Sequence, residues 1–246
     1  ATVGRTVDQP ETRQPKPVGP SAQRPLPTVE MRHIAPEPAA SANVLWAPPA
    51  EGITEMNWSQ LETAVTGCRA CGLCESRRHT VFGTGSTAAD WMVVGEAPGE
   101  NEDREGLPFV GASGELLDNM LRAVGRSRTG SGAQGAYIAN ALKCRPPSNR
   151  NPQPAEIAQC MPYLARQVAL LQPKIILAMG RFAVQSLLQT NEPIGKMRGR
   201  VHHYQGVPVI VTYHPAYLLR TPTDKAKAWA DLCLALETAG PPPQAR

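Results

Sequence analysis

Apolar positions organise the chain from Trp58 onward. Trp58, Leu61 and Val65 recur at helical spacing and stop at Gly67, which predicts a short amphipathic helix. Trp91-Met-Val-Val-Gly95 is a continuous apolar run closed by glycine, the pattern of a strand buried on both faces. The stretch 96–112 is rich in Gly, Pro and Glu and reads as a long loop of functional kind. Leu116, Leu117, Met120, Leu121 and Val124 then mark one face of a helix, with Ser113 its expected N-cap and Gly125 its stop. A second strand is predicted over 137–142, followed by a proline-rich loop over 146–154. Residues 157–171 have helical period, with Pro162 expected to kink or divide the helix. A third buried strand is predicted over 174–179, then Gly180 and a helix through Leu188. Runs 201–204 and 207–212 flank Gln205-Gly206, as in a hairpin. After Tyr213-His-Pro-Ala-Tyr217 a closing helix is expected over 223–238.

Strands alternating with helices, without an internal repeat, predict an α/β fold. The expected form is a three-layer α/β/α sandwich with a mostly parallel central sheet. In such a sheet ligands bind at the carboxyl ends of the strands. The loops 95–103, 140–150 and 213–220 leave those ends, each with polar side chains beside glycine or proline. Upstream the pattern vanishes. Residues 1–50 hold 10 of the 25 prolines, and Pro, Gln, Thr and Ala alternate with scattered charges. Residues 1–53 are therefore expected to be a disordered extension and 54–240 the folded domain. Within the extension Val44-Leu45-Trp46 is the apolar patch a protein partner could hold.

Composition narrows the class. The net charge of +4 permits an acidic partner such as nucleic acid without requiring one. No apolar run approaches the roughly 18–20 residues that span a bilayer, so no membrane partner is expected. The first 30 residues hold no signal-peptide core. The chain opens on Ala1 rather than Met, which leaves sequence upstream of it open. Six cysteines are too few and too unevenly spaced for a disulfide-stapled secreted domain. A reduced, cytoplasmic setting is expected.

Cys68 and Cys71 form a C-x2-C pair, and Cys74 follows. Cys144 and Cys160 lie far downstream. Two further thiols beside such a pair point to a four-thiolate metal site, and thiolates suit zinc or an iron–sulfur cluster alike. Cys233, on the expected last helix, reads as a small core residue.

Three segments together resemble the family 4 uracil-DNA glycosylases. Gly95-Glu-Ala-Pro-Gly-Glu-Asn-Glu-Asp103 with Gly106-Leu-Pro-Phe-Val-Gly111 resembles the family's first motif. Tyr137-Ile-Ala-Asn-Ala-Leu-Lys-Cys-Arg-Pro-Pro147 is similar to its middle motif, and His214-Pro-Ala-Tyr-Leu-Leu-Arg220 to its second catalytic motif. The resemblance covers 57–238. It implies a [4Fe–4S] cluster on Cys68, Cys71, Cys144 and Cys160, with Cys74 left out. It also implies uracil-containing DNA as substrate, nucleotide flipping, hydrolysis of the N-glycosidic bond and an abasic product for base excision repair, by an enzyme expected to act as a monomer.

That chemistry needs a base reader, a donor to the leaving anion, a carboxylate for the water or the sugar cation, and a wedge for the gap in the stack. Asn140, at a strand end, offers a donor and an acceptor that match uracil O4 and N3–H. A loop-capping Asn is the structural alternative. By resemblance Phe109 is the stacking platform, and His214 donates to the developing O2 anion, with backbone amides near Glu96 and Ala97 adding to it. Glu102 matches the position that activates water or stabilises the sugar; Glu96 is second choice and Asp103 third. Leu218 and Leu219 resemble the wedge, and Arg220 a phosphate contact. Arg198, Arg200, Lys225 and Lys227 read chiefly as solvated surface, and so do His202 and His203. A related branch traps DNA through a histidine in an inserted basic loop; residues 144–152 hold neither, and Ala97 stands where that branch has glutamine. Turnover without a covalent adduct is expected.

Overall fold

The computed structural model describes residues 46–240. A 3-10 turn at Ile53–Glu55 leads into α1 (Trp58–Thr66), α2 (Leu73–Ser76), β1 (Trp91–Gly95), α3 (Glu100–Glu105), α4 (Gly111–Ala123) and β2 (Ala136–Asn140). Then come α5 (Pro154–Leu171), β3 (Ile175–Met179), α6 (Arg181–Leu188), α7 (Ile194–Met197), β4 (Val201–Tyr204), β5 (Val207–Thr212), α8 (Pro215–Arg220) and α9 (Lys225–Ala239).

The strands form one sheet in the order β2-β1-β3-β5-β4. All neighbours are parallel except the β4–β5 hairpin. Successive side chains of a strand face opposite ways, and both faces are covered. Met92, Val94, Ile176, Ala178, Val209 and Val211 pack with Leu164, Val168, Val184 and Leu187, under α5 and α6. Trp91, Val93, Ile175, Leu177, Met179 and Ile210 pack with Leu117, Leu121, Leu232 and Ala235, under α4 and α9. The predicted three layers are present. Register sets Gly95 beside Asn140 and Met179 beside Thr212. Four strand ends thus line one edge of the sheet.

Several local expectations are corrected. The stretch 96–112 is not loop throughout: α3 forms within it because the Glu102 carboxylate reaches back to the Gly99 amide and Gly106 adopts a left-handed turn that ends the helix. α4 begins at Gly111 with Val110 at its N-cap, so Ser113 lies inside the helix and caps nothing. β2 ends at Asn140, after which the amides of Ala141 and Leu142 bond the carbonyls of Gly95 and Glu96. Pro162 does not divide α5, whose buried Cys160, Tyr163, Leu164 and Gln167 hold it in the core on either side of the proline. Upstream, Ile53 is buried with Leu61, Val65 and Tyr163, and the Ala50 amide donates to Tyr163 Oη at 3.3 Å. Val44 and Leu45 of the apolar patch lie outside the described residues; Trp46 is exposed.

Candidate active site

The four strand ends open into a cleft of about 500 Å³. Its lining includes Glu96, Ala97 and Glu102 from the β1 side, Phe109, Asn140, and His214 and Tyr217 from the β5 side. Asn140 is 2% exposed, and its Oδ1 has no hydrogen-bond partner among the described residues. A buried acceptor left free is costly, and it stands ready for a ligand donor. The Phe109 ring stacks on the His214 ring at 5.2 Å between centroids and 23° between planes.

The Phe109 backbone is left-handed, at φ 53°. Such a conformation disfavours a bulky side chain, and Arg128 holds it there. Its guanidinium donates to the carbonyls of Pro108 (3.2 Å) and Phe109 (3.0 Å), and its Nε donates to Asp118 (2.7 Å). Gly95 serves the same wall from the strand side: a Cβ there would crowd Asn140 Oδ1 and come within 2.6 Å of Phe109 Cζ.

The polar groups differ in charge state. His214 Nδ1 accepts from the Ala216 amide at 3.1 Å, which leaves Nε2 to carry the proton of the neutral ring. Burial, and then the Arg220 charge, push its pKa down to about 4, so the ring is neutral at pH 7. Burial pushes the Glu96 carboxyl up to about 7, partly offset by the Arg181 charge. Glu102 is committed to the backbone, accepting from Gly99 N (3.1 Å) and Val110 N (3.0 Å). Asp103 turns away from the cleft, buried, and accepts from the amides of Arg78 and His79.

The remaining predicted residues separate. Leu218 is 1% exposed and lies among Leu116, Met120 and Leu232, whereas Leu219 is 44% exposed. Leu218 is thus a core residue rather than a DNA contact, because one helical step turns neighbouring side chains about 100° apart. Arg220 is exposed at the cleft. Arg198 is not free surface: it pairs with buried Asp231 at 2.7 Å and lies over Tyr213. Arg200 pairs with Glu192 and Lys227 with Asp224. His202 is half-buried with Nε2 on the Met197 carbonyl, unlike exposed His203.

Cys68, Cys71, Cys74, Cys144 and Cys160 line one small cavity, separate from the cleft. Arg77 Nη1 donates to Cys144 Sγ at 3.1 Å. Burial pushes the Cys144 thiol up to about 11 and that of Cys160 to about 12. Among the described residues no three His, Cys, Asp or Glu side chains are drawn up to hold a metal ion. Cys233 is half-buried on α9, far along the chain from this group.

Arg150 and Ser113 line the cleft although neither has a role in the site from the sequence alone. Arg150 enters the lining from the 146–150 loop, held by Glu156. Ser113 lines it from the first turn of α4. The signal for both was their nearness to strand-end loops, which names a neighbourhood and not a side chain. No helix among the described residues is long and apolar enough to cross a membrane.

A family model described as the uracil DNA glycosylase superfamily matches residues 82–233. The type-4 uracil-DNA glycosylase of Archaeoglobus fulgidus is 40% identical over 166 residues, covering 64% of this chain and 81% of the relative. That of Sulfurisphaera tokodaii is 42% identical over 171 residues, covering 66% and 76%. That of Saccharolobus solfataricus is 40% identical over 174 residues, covering 68% and 79%. The match spans the whole sheet and every loop that builds the cleft, and the chain belongs to the uracil-DNA glycosylase superfamily, among its type-4 members.

Proposed function

We propose that the chain removes uracil from DNA by hydrolysing its N-glycosidic bond, leaving an abasic site for base excision repair. The observation that carries this reading is the buried, unpartnered Oδ1 of Asn140 in one cleft with the Phe109–His214 stack. A uracil flipped into the cleft satisfies that oxygen through N3–H, while the amide nitrogen donates to O4. Cytosine presents the reverse pattern and is refused. Phe109 stacks on the base, and the neutral His214 donates through Nε2 to O2 as negative charge develops there. The backbone at Glu96 and Ala97 lines the same side.

The two carboxylates divide the work. Glu102 spans Gly99 and Val110, so it holds the loop in shape and presents its charge to the developing sugar cation. Glu96, whose carboxyl titrates near neutrality, is the better base for the attacking water. Leu219 is the wedge that fills the gap in the stack, and Arg220 and Arg150 hold flanking phosphates.

Cys68, Cys71, Cys144 and Cys160 hold a [4Fe–4S] cluster in this reading. The support is the resemblance of these cysteines to the family's ligand set and their place around one cavity, where thiolates are the soft donors such a cluster takes. Bound there, the cluster would cross-link the turn between α1 and α2, the 140–146 turn and α5. The reading extends to a monomer working on DNA in a reducing cytoplasm, with the segment ahead of Ala50 as the one for a protein partner, since Ala50 and Ile53 pack on the domain.

The test is excision from a labelled oligonucleotide carrying one uracil, beside a thymine control, with alkali revealing abasic sites. Cleavage at uracil alone is expected. No cleavage by iron-loaded protein overturns the reading in favour of a DNA-binding module without hydrolytic activity. An adduct that survives denaturation overturns hydrolytic turnover.

A further inference from the structure

Lys143 stands three residues after Asn140 within the middle motif, yet it is 2% exposed. Its Nζ donates to the Asn140 carbonyl at 2.9 Å, to Gln167 Oε1 at 2.7 Å and to the Phe82 carbonyl at 3.3 Å. An ammonium has three donors, and all three end on neutral oxygens. None of the ion pairs among the described residues includes it. Gln167 is itself fully buried on α5 and donates to Phe82 O and Tyr137 Oη. A methyl-ended side chain would fill this volume at less desolvation cost. Lys143 also lines the cysteine cavity, yet the three hydrogen bonds of its Nζ run the other way, to the carbonyls of Asn140 and Phe82 and to Gln167, and that geometry has a directional use.

The sheet shows what that use is. β2 is the edge strand. On its open side Ile138 exchanges both backbone hydrogen bonds with Thr84. Two residues on, the Asn140 carbonyl points the same way, past the end of that bridge. Its other neighbours are already tied to β1, through Ala141 N to Gly95 O and Leu142 N to Glu96 O. The Lys143 ammonium stands where a further strand would have donated.

We propose that Lys143 is a positioning residue that fixes the backbone of Asn140 by tying its carbonyl to Gln167, and so aims the Asn140 amide at the base. This rests on the reading of Asn140 as the residue that recognises uracil. Displacement of that amide by a fraction of an ångström weakens both of its hydrogen bonds to the base at once.

The experiment measures inhibition by free uracil, excision kinetics, affinity for abasic-site DNA and iron content in the full-length, iron-loaded protein. Lys143→Met is expected to keep iron and abasic-site affinity, while the uracil inhibition constant rises and kcat falls, each roughly 10- to 100-fold. Gln167→Met, which removes only the anchor, is expected to move the same two quantities several-fold in the same direction, and it carries the test if Lys143→Met does not fold. Unchanged uracil inhibition in either folded, iron-loaded variant overturns the proposal. So does a loss of uracil affinity that appears only with loss of iron, because the lysine then serves the cysteine cavity. Asn140→Ala separates the two readings. If it leaves uracil inhibition intact, the assignment of Asn140 fails; if it abolishes inhibition while Lys143→Met does not, only the strut fails.

Discussion

In the proposed mechanism Glu96 couples the reaction to pH at the level of one carboxyl. As the base it must be ionised, so excision is expected to rise with pH through about 7, and Glu96→Gln to remove that limb from the profile. Stability moves the other way. The folded value lies above the ordinary 4.5, so the folded state holds the proton more tightly than the unfolded chain. Stability is then complete below 4.5 and declines as pH rises through 7. Melting curves of Glu96→Gln are therefore expected to lie above the parent at pH 8 and to converge with it at pH 4.5. Gly95→Ala tests the wall behind the base: its methyl meets Asn140 and Phe109, so excision should fall at least tenfold with the sheet intact by circular dichroism. That Asn140, Phe109 and His214 line one cleft was legible, because each stands in a motif within the loops at the strand ends. The division between Glu96 and Glu102 was not, because it depends on which carboxylate finds backbone donors. Lys143 was hidden for the opposite reason, since a lysine in a sequence reads as solvent-facing until the fold buries it.

Elements were legible where burial imposed a period. β1 and β3 are apolar on both faces and fell where expected, and α4, α5 and α9 followed their apolar stripes. α3 escaped because Glu-Asn-Glu-Asp-Arg-Glu has no apolar face, and its cause is a single capping carboxylate. α8 separates two leucines that the sequence treats alike. Leu218→Ala should lower stability by about 2–5 kcal/mol, measured by denaturant melts. Leu219→Ala should leave stability within about 0.5 kcal/mol, yet reduce excision more on duplex than on single-stranded substrate. Only a stacked duplex must be wedged apart. Equal losses on both substrates would remove Leu219 from that role.

For the molecule as a whole, the three layers and the loop-lined edge followed from alternation of elements, and the grouping of thiols followed from the C-x2-C pair and the resemblance; the fold adds that they come from the turn before α2, the turn after β2 and α5 to line one cavity. Chelation of iron is expected to raise backbone hydrogen exchange in 68–77 and 144–160 while β3 and β5 stay protected, read by mass spectrometry. Uniform exchange across the sheet would mean that the metal holds the entire fold. The order of the strands gives the cysteine cavity a place in time as well as in space. Its last thiol, Cys160, precedes β3, the strand at the middle of the sheet. During synthesis every cysteine of the cavity therefore leaves the ribosome before the central strand does. For the proposed cluster this means that iron delivery would be open to a nascent chain whose central strand is still unmade, and a shortage of iron would be met before the domain has been finished.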